Sequence, residues 1–400
     1  MPKIISLLLV LMVQVFGLIH CDSSIIETVP YIEPYDGVLD QNDLISRHFD
    51  LDSEFIHLSE KKIKTIVDNC FENFTRLKYL DLSDNQLESI QTKALNSMSQ
   101  LQFLSLRNNK LKYIDALKDA QNLSKLKHLD VSLNFIKEID ELTLSKLASL
   151  EVGLFSLNKI SNIHSKAFEN LKSLTELDLS SNYITQLNER TFLTLTNLTK
   201  LDLSSNQLAS LEQNLFNNLV NLFELNLSNN LLRTLRLGLF VDLSELRILK
   251  VSWNMIRTLN EDVFEGTTEL IDLFLDNNQI TSVNDKAFKN MSLLLNLDLS
   301  NNNLTSVSAN VFKDMKDLST IMLDSNQISS IHVDAFQNQR FLQYIHLNSN
   351  KLNKIQPQVF DGLIFLKYLY LYWNQFDMAA MVAIKDEIFK VSNPDLIIRI

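Results

Sequence analysis

The chain repeats one apolar rhythm. Residues 174–197 read LTELDLSSNYITQLNERTFLTLTN, and the first eleven fit LxxLxLxxNxL, with Leu174, Leu177, Leu179 and Ile184 apolar and Asn182 the one polar intruder. Alternation around Leu177 and Leu179 predicts a short strand, whereas Leu187, Phe192 and Leu195, at looser spacing, predict a loop or a short turn of helix. One such unit has two apolar edges and cannot bury both alone. Stacked copies can.

The copies are present. Asn85, Asn109, Asn134, Asn158, Asn182, Asn206, Asn230, Asn254, Asn278, Asn302, Asn326, Asn350 and Asn374 recur every 24 residues, with one step of 25 between Asn109 and Asn134. Ten residues after most of them stands a large apolar side chain, and from Phe168 to Phe360 it is always Phe. Each strand is expected to pair in parallel with the next at about 4.8 Å, so thirteen strands give a sheet roughly 58 Å long. The sheet side is thinner than the Phe side, so the stack must curve with the sheet inside. The recurrent Asn sits where the strand ends and the chain turns inward. A buried amide there needs partners, and loop backbone supplies them, so this Asn is read as structural.

These residues resemble the typical extracellular subclass of leucine-rich repeat proteins, as in Toll-like receptor ectodomains and secreted insect leucine-rich immune proteins. The resemblance covers about residues 53–376. It implies an α/β solenoid, a right-handed curved horseshoe with a parallel sheet on its concave face. For function it implies a scaffold that binds other macromolecules.

At the N-terminus, Lys3 precedes the apolar run IISLLLVLMVQVFGLI, too short for a membrane span and suited to a secretory signal over residues 1–21. Cleavage after Gly17 permits a Cys21–Cys70 disulfide; cleavage after Cys21, the preferred reading, leaves Cys70 alone and a candidate for an intermolecular bridge. The other reading of Cys70 is a thiol buried beside Phe71. Residues 22–52 are acidic, hold Pro30 and Pro34, and have no clear period, which predicts a poorly ordered arm carrying much of the net charge of −11. That balance disfavours nucleic acid and anionic membranes as partners. From Ser53 a degenerate repeat begins, with Lys61 in place of Asn, and is expected to cap the core. At the far end, residues 377–400 hold Met378, Met381, Val382, Ile384, Ile388 and Phe389 at helical spacing, then Pro394 and the strand-like LIIRI. A helical C-terminal cap is expected, with no membrane anchor after Phe376.

Chemistry is sparse. The chain has no HExxH, GxSxG, CxxC or glycine-rich phosphate loop, and its seven histidines show no metal-ligand spacing. No catalytic residue, metal site or cofactor is expected; His128 and Asp130 form at most a surface pair. Six N-x-S/T sequons mark Asn73, Asn122, Asn197, Asn226, Asn290 and Asn303 as glycosylation candidates. Asn73, Asn122 and Asn290 each precede the same outer-edge apolar position, so exposed loops are expected there. Asn226 lies between Leu225 and Leu227 and is expected to face out of the concave sheet.

The third and fifth residues of each LxxLxLxx segment point away from the core, so their columns line the concave face. Charges occupy the centre of these columns and aromatics the ends. Near the C-terminal end Tyr344, His346, Tyr368, Tyr370, Tyr372, Trp373 and Met322 gather, with Phe274 further in, and these are the candidate partner-binding residues. A weaker patch is Phe103, Val152, Leu154 and Leu157, beside Gly153, where loss of the core leucine is expected to loosen the strand. The expected protein is a secreted glycoprotein that binds a protein partner, in a multi-protein complex or dimer, with innate-immune recognition favoured by the resemblance. Adhesion or matrix function, or enzyme inhibition, would use the same surface.

Overall fold

The computed structural model describes residues 37–46, 49–120, 122–382, 384 and 396–400; the signal segment, Cys21, Ile388, Phe389 and Pro394 lie outside them. Among the described residues, one parallel sheet of fifteen strands runs the length of the chain. Its first rung is Phe55–His57, from the degenerate repeat. Thirteen rungs of the regular repeat follow, ending at Tyr368–Tyr370. Ile397–Arg399 closes the sheet, Tyr368 facing Ile397 and Tyr370 facing Arg399. Register is kept residue for residue: Glu176 pairs with Lys200, and Lys200 with Glu224. The other wall consists mostly of turns, with two-residue strands such as Asn162–Ile163 against Glu138–Ile139. The single 25-residue step is absorbed in that wall by the short helices Ala116–Asp119 and Leu123–Lys125.

Two polar devices turn the chain at the end of each rung. The recurrent asparagine is buried from Asn85 to Asn350 and half-buried at Asn374, and its amide bridges two coils. Asn206 Nδ2 donates to the carbonyls of Leu179 (3.0 Å) and Leu203 (3.1 Å), while its Oδ1 accepts the Ile184 N–H (3.1 Å). The bonds go to backbone of its own and the preceding coil, so each asparagine replaces hydrogen bonds the turn cannot make for itself. The residue before each asparagine is left-handed, with φ between 52° at Asn108 and 58° at Trp373. Ser, Asn and Asp fill most of these places, as their low cost there predicts; Leu133, Leu157, Trp253 and Trp373 do not.

Phenylalanine builds the spine behind the sheet. Phe216, Phe240, Phe264 and Phe288 are buried and stacked, their centroids 6.3, 6.0 and 5.9 Å apart. Gly266 lies beside this spine at φ +98°, where a Cβ would sit 2.5 Å from the Phe240 carbonyl oxygen and closer still to that of Val241. Gly266→Ala is therefore expected to cost about 2–3 kcal/mol, from backbone strain and displacement of the neighbouring turn, read as a fall in the denaturant midpoint. Gly153 behaves otherwise than its sequence suggests. Its strand stays in register with both neighbours. The missing leucine is replaced in space by Phe155, whose ring lies 3.0 Å from where a Cβ would be.

The acidic arm is shorter than residues 22–52. From Gly37 the chain is built into the end of the solenoid: Val38–Leu39 pairs with Thr65–Ile66, and Leu39 and Leu44 are fully buried. Two of the arm's acids make the helix Gln41–Ser46 rather than a solvated tail. Asp43 N–H donates to Asp40 Oδ1 (2.8 Å) and Asp40 N–H to Asp43 Oδ2 (3.0 Å), a reciprocal N-terminal cap. Cys70 is fully buried under this cap. Burial holds its thiol well above the ordinary range, and the Asp40 and Asp43 charges add to the effect. A thiol so placed has neither the access nor the thiolate for exchange with a second chain, so the intermolecular bridge is not supported. At the other end residues 378–382 and 384 are helical, with Ile384 buried and Ala380 and Met381 packed on the core.

Candidate protein-binding surface

Strand pairing in strict register places identical repeat positions side by side, so aromatic residues one coil apart must stack. At the C-terminal end Tyr344 lies on Tyr368 (5.3 Å, 6° between planes) and His346 on Tyr370 (4.5 Å). Tyr370 meets Tyr372 edge-on, and Tyr372 meets Trp373 in the same way at 5.0 Å. The stacked rings spend their faces on one another, and all four are half-buried. Their outer edges remain for a partner. Met322, register partner of His346, and Phe274 are also half-buried, and Phe274 is set apart by the intervening Asp298 strand. Trp373 differs from all of these, 78% exposed on left-handed backbone.

The aromatic band extends onto one lateral edge of the same coils. Phe341 and Phe365 stack at 6.0 Å, both about half exposed, beside the exposed Ile364. Sequence reasoning missed them because it followed the third and fifth positions. Their signal was Phe recurring 24 residues apart just before the strand's first leucine. The N-terminal end carries more than the expected weak patch. Tyr79, Phe103 and His128 form a ladder at 4.3 and 4.5 Å, and His57 adds to it, 4.9 Å from Tyr79. Val152 is buried, Leu154 half-buried and Leu157 exposed.

Much of the acidity on the concave face is structural. In the recurring D-x-S, the aspartate accepts the N–H two residues on: Ser83 to Asp81 (2.9 Å), Ser180 to Asp178 (2.9 Å), Ser204 to Asp202 (2.8 Å). Asp130 is held likewise by Ser132, through both its N–H (2.9 Å) and its hydroxyl (2.6 Å). The expected His128–Asp130 surface pair is not formed: His128 stacks on Phe103, and burial lowers its pKa. Asn226 plays the aspartate's part, its Oδ1 accepting Ser228 N–H (3.1 Å) while its Nδ2 donates to Asp202 (2.9 Å). The atom a glycan would occupy is therefore engaged within the sheet. The other five sequon asparagines, Asn73, Asn122, Asn197, Asn290 and Asn303, are exposed. Among the described residues no group of three or more His, Cys, Asp or Glu is placed to hold a metal ion.

The Leucine rich repeat family profile matches residues 55–111, 156–208, 196–256, 221–280, 268–328 and 316–376, and a two-copy leucine rich repeat profile matches 99–144. The chain is a leucine-rich repeat protein. No curated protein matches it in sequence. Among solved structures this leucine-rich repeat chain is similar to a leucine-rich repeat protein of Leptospira interrogans, with TM-score 0.61, 22% identity, and 92% of this chain and 100% of that one covered. It is similar to an internalin of Listeria monocytogenes, with TM-score 0.59, 22% identity and coverage of 90% and 88%. A third neighbour is Drosophila Toll in complex with Spatzle, with TM-score 0.61, 21% identity, and 84% of this chain against 53% of that one. Such identities establish the shared fold. The leucine-rich repeat is a protein-interaction scaffold, and what one member binds is decided by the residues it displays.

Proposed function

We propose that this leucine-rich repeat protein is secreted and glycosylated, and that it captures a protein partner on the C-terminal third of its concave face, in extracellular recognition of the innate-immune kind. The observation that carries the reading is the aromatic band across its last two full coils. Tyrosine and tryptophan supply large, rigid contact area at little entropic cost, which is why they anchor interfaces. Trp373 strengthens the reading: a bulky residue in left-handed backbone costs about 1–2 kcal/mol, and this one buries almost nothing in return. Secretion is supported by the apolar run after Lys3 and by exposed asparagines in five of the six sequons. No helix among the described residues is long and apolar enough to cross a membrane. The immune assignment is supported by likeness to Toll, described with Spatzle as a hub in Drosophila development and innate immunity.

The test replaces Tyr344, Tyr368 and Tyr370 with serine in the tagged, secreted protein. Circular dichroism is expected to be unchanged, with melting a few degrees lower because each ring stack contributes about 0.5–1.5 kcal/mol. Cross-linking capture from the native extracellular fluid, read by mass spectrometry, is expected to lose its main partner. A folded triple variant that keeps that partner would place the docking surface elsewhere. Recovery of matrix or adhesion proteins by the wild type would replace the immune reading with the adhesive one.

A further inference from the structure

Several charges along the sheet find counter-charges on the next coil. Lys78 meets Glu54 at 2.8 Å, Lys127 meets Glu151 at 2.7 Å and Lys250 meets Glu224 at 2.5 Å. Aspartates such as Asp178 and Asp202 hold turn N–H groups instead, and two carboxylates beside the aromatic band likewise lack a counter-charge. Among the described residues, neither Asp298 nor Asp324 has a lysine or arginine within 4.0 Å. Asp298 is the register partner of Met322, which stands two residues before Asp324. Burial pushes both carboxyls above the usual range, and the Asp276 and Asp324 charges push Asp298 further. Asp276 itself is served by the Ser252 hydroxyl and by the Asn277 amide at 2.6 Å.

A third acceptor lies one coil on from Asp324. Asn348 is 7% exposed, and its Oδ1 has no hydrogen-bond partner. It is placed by the backbone, since Ser325 N–H donates to its carbonyl (3.0 Å) while Leu323 N–H donates to that of His346 (2.9 Å). Burial lowers the His346 pKa, so this ring, stacked on Tyr370, supplies no full positive charge at neutral pH. Asp298 spends one oxygen on its own turn, Oδ1 accepting the Ser300 N–H (2.9 Å), and Asp324 Oδ2 lies 3.4 Å from the Ser325 hydroxyl. What remains is acceptor capacity that meets no cation, with Asn348 Oδ1 wholly unpaired, bordered by aromatic rings. An anion would be repelled here. A guanidinium fits, because its fixed fork of N–H groups meets carboxylate and carbonyl oxygens while its plane packs on rings; an ammonium fits less completely.

Resting on the docking surface argued above, we propose that this leucine-rich repeat protein receives an arginine-bearing segment of its protein partner between Asp298, Asp324 and Asn348, against the His346–Tyr370 stack. The site gives Asp298, on which the Asp276 and Asp324 charges bear, and Asp324 beside it the counter-charge that no lysine or arginine of the described residues supplies.

The test uses the full secreted chain and a fluorescent tri-arginine peptide with blocked ends, followed by anisotropy at low salt. Asp324→Asn is the informative variant. The same repeat position already carries Asn348, and the change creates no N-x-S/T sequon because Asn326 stands two places on; Asp298→Asn would create one with Ser300. Asp324→Asn is expected to weaken the peptide about tenfold and to leave the melting temperature equal or higher, since it removes a half-buried charge that has no counter-ion. Glu176→Gln removes the same charge from the middle of the same face and is expected to change affinity less than about twofold. Equal loss in both variants, or no peptide binding by the wild type, overturns the proposal. The docking surface has its own test in Tyr344→Ser with Tyr368→Ser. If that pair loses the partner while Asp324→Asn binds peptide like wild type, the cation site alone fails. If the pair keeps the partner while Asp324→Asn still loses peptide, the docking surface alone fails.

Discussion

Asn230→Leu is expected to cost about 4 kcal/mol, although leucine is nearly the same size and more apolar. In the wild type Asn230 Nδ2 donates to the Leu203 (3.0 Å) and Leu227 (3.1 Å) carbonyls, and Oδ1 accepts the Leu208 N–H (3.0 Å). Leucine supplies none of these bonds and shields all three backbone groups from water. A buried polar group left unpaired costs about 1–3 kcal/mol, and three such groups in one turn exceed any gain from added apolar surface. Asn73→Gln, at an exposed asparagine of the same chain, is expected to stay within about 0.5 kcal/mol. Urea unfolding of both variants measures the contrast. A loss below about 1 kcal/mol for Asn230→Leu would show that the turns can satisfy themselves without the amide.

Phe240→Ala is expected to cost about 3–5 kcal/mol, the range for removing a large buried aromatic. Phe240 lies 6.3 Å from Phe216 and 6.0 Å from Phe264, so its loss opens one cavity against two neighbouring coils. Phe240→Leu, which refills most of the volume, is expected to cost about a third as much. The array is nearly one-dimensional, with each coil supported mainly by its neighbours. Damage at Phe240 should therefore appear locally. Hydrogen exchange in Phe240→Ala is expected to accelerate around residues 216–264 before the ends respond. Uniform acceleration along the whole chain would show that the solenoid opens as a single unit instead.

The two ends show where sequence reading stops. The acids of residues 37–46 suggested a solvated tail, because an excess of one charge is a property of composition. Only contacts reveal that Asp40 and Asp43 cap a helix whose Leu44 fills the end of the core. Cys70 is similar: spacing left both an exposed and a buried thiol open, and the packed cap decides for the buried one. Gly153 shows the converse error, since the neighbour that compensates for it, Phe155, occupies a position where leucine is the rule. The concave aspartates were legible as a column but not as turn-holding acceptors. The D-x-S spacing carried that meaning, at Asp298 with Ser300 as at Asp178 with Ser180, and it separates these from Asp324, whose sequence lacks the spacing.

Sequence by itself determined the architecture of this protein. An apolar period of 24 residues with a fixed asparagine admits one arrangement in which every coil buries both edges, and register follows because each coil has the same length. It also determined which residues share the concave face, since side-chain direction alternates along a strand. Tertiary structure decided what those residues are free to do. Whether a ring offers its face or its edge, whether a carboxylate holds a turn or stands unpaired, and whether a thiol reaches solvent all depend on atoms one coil away. Those distances are set by packing between coils, and no spacing along a single coil contains them.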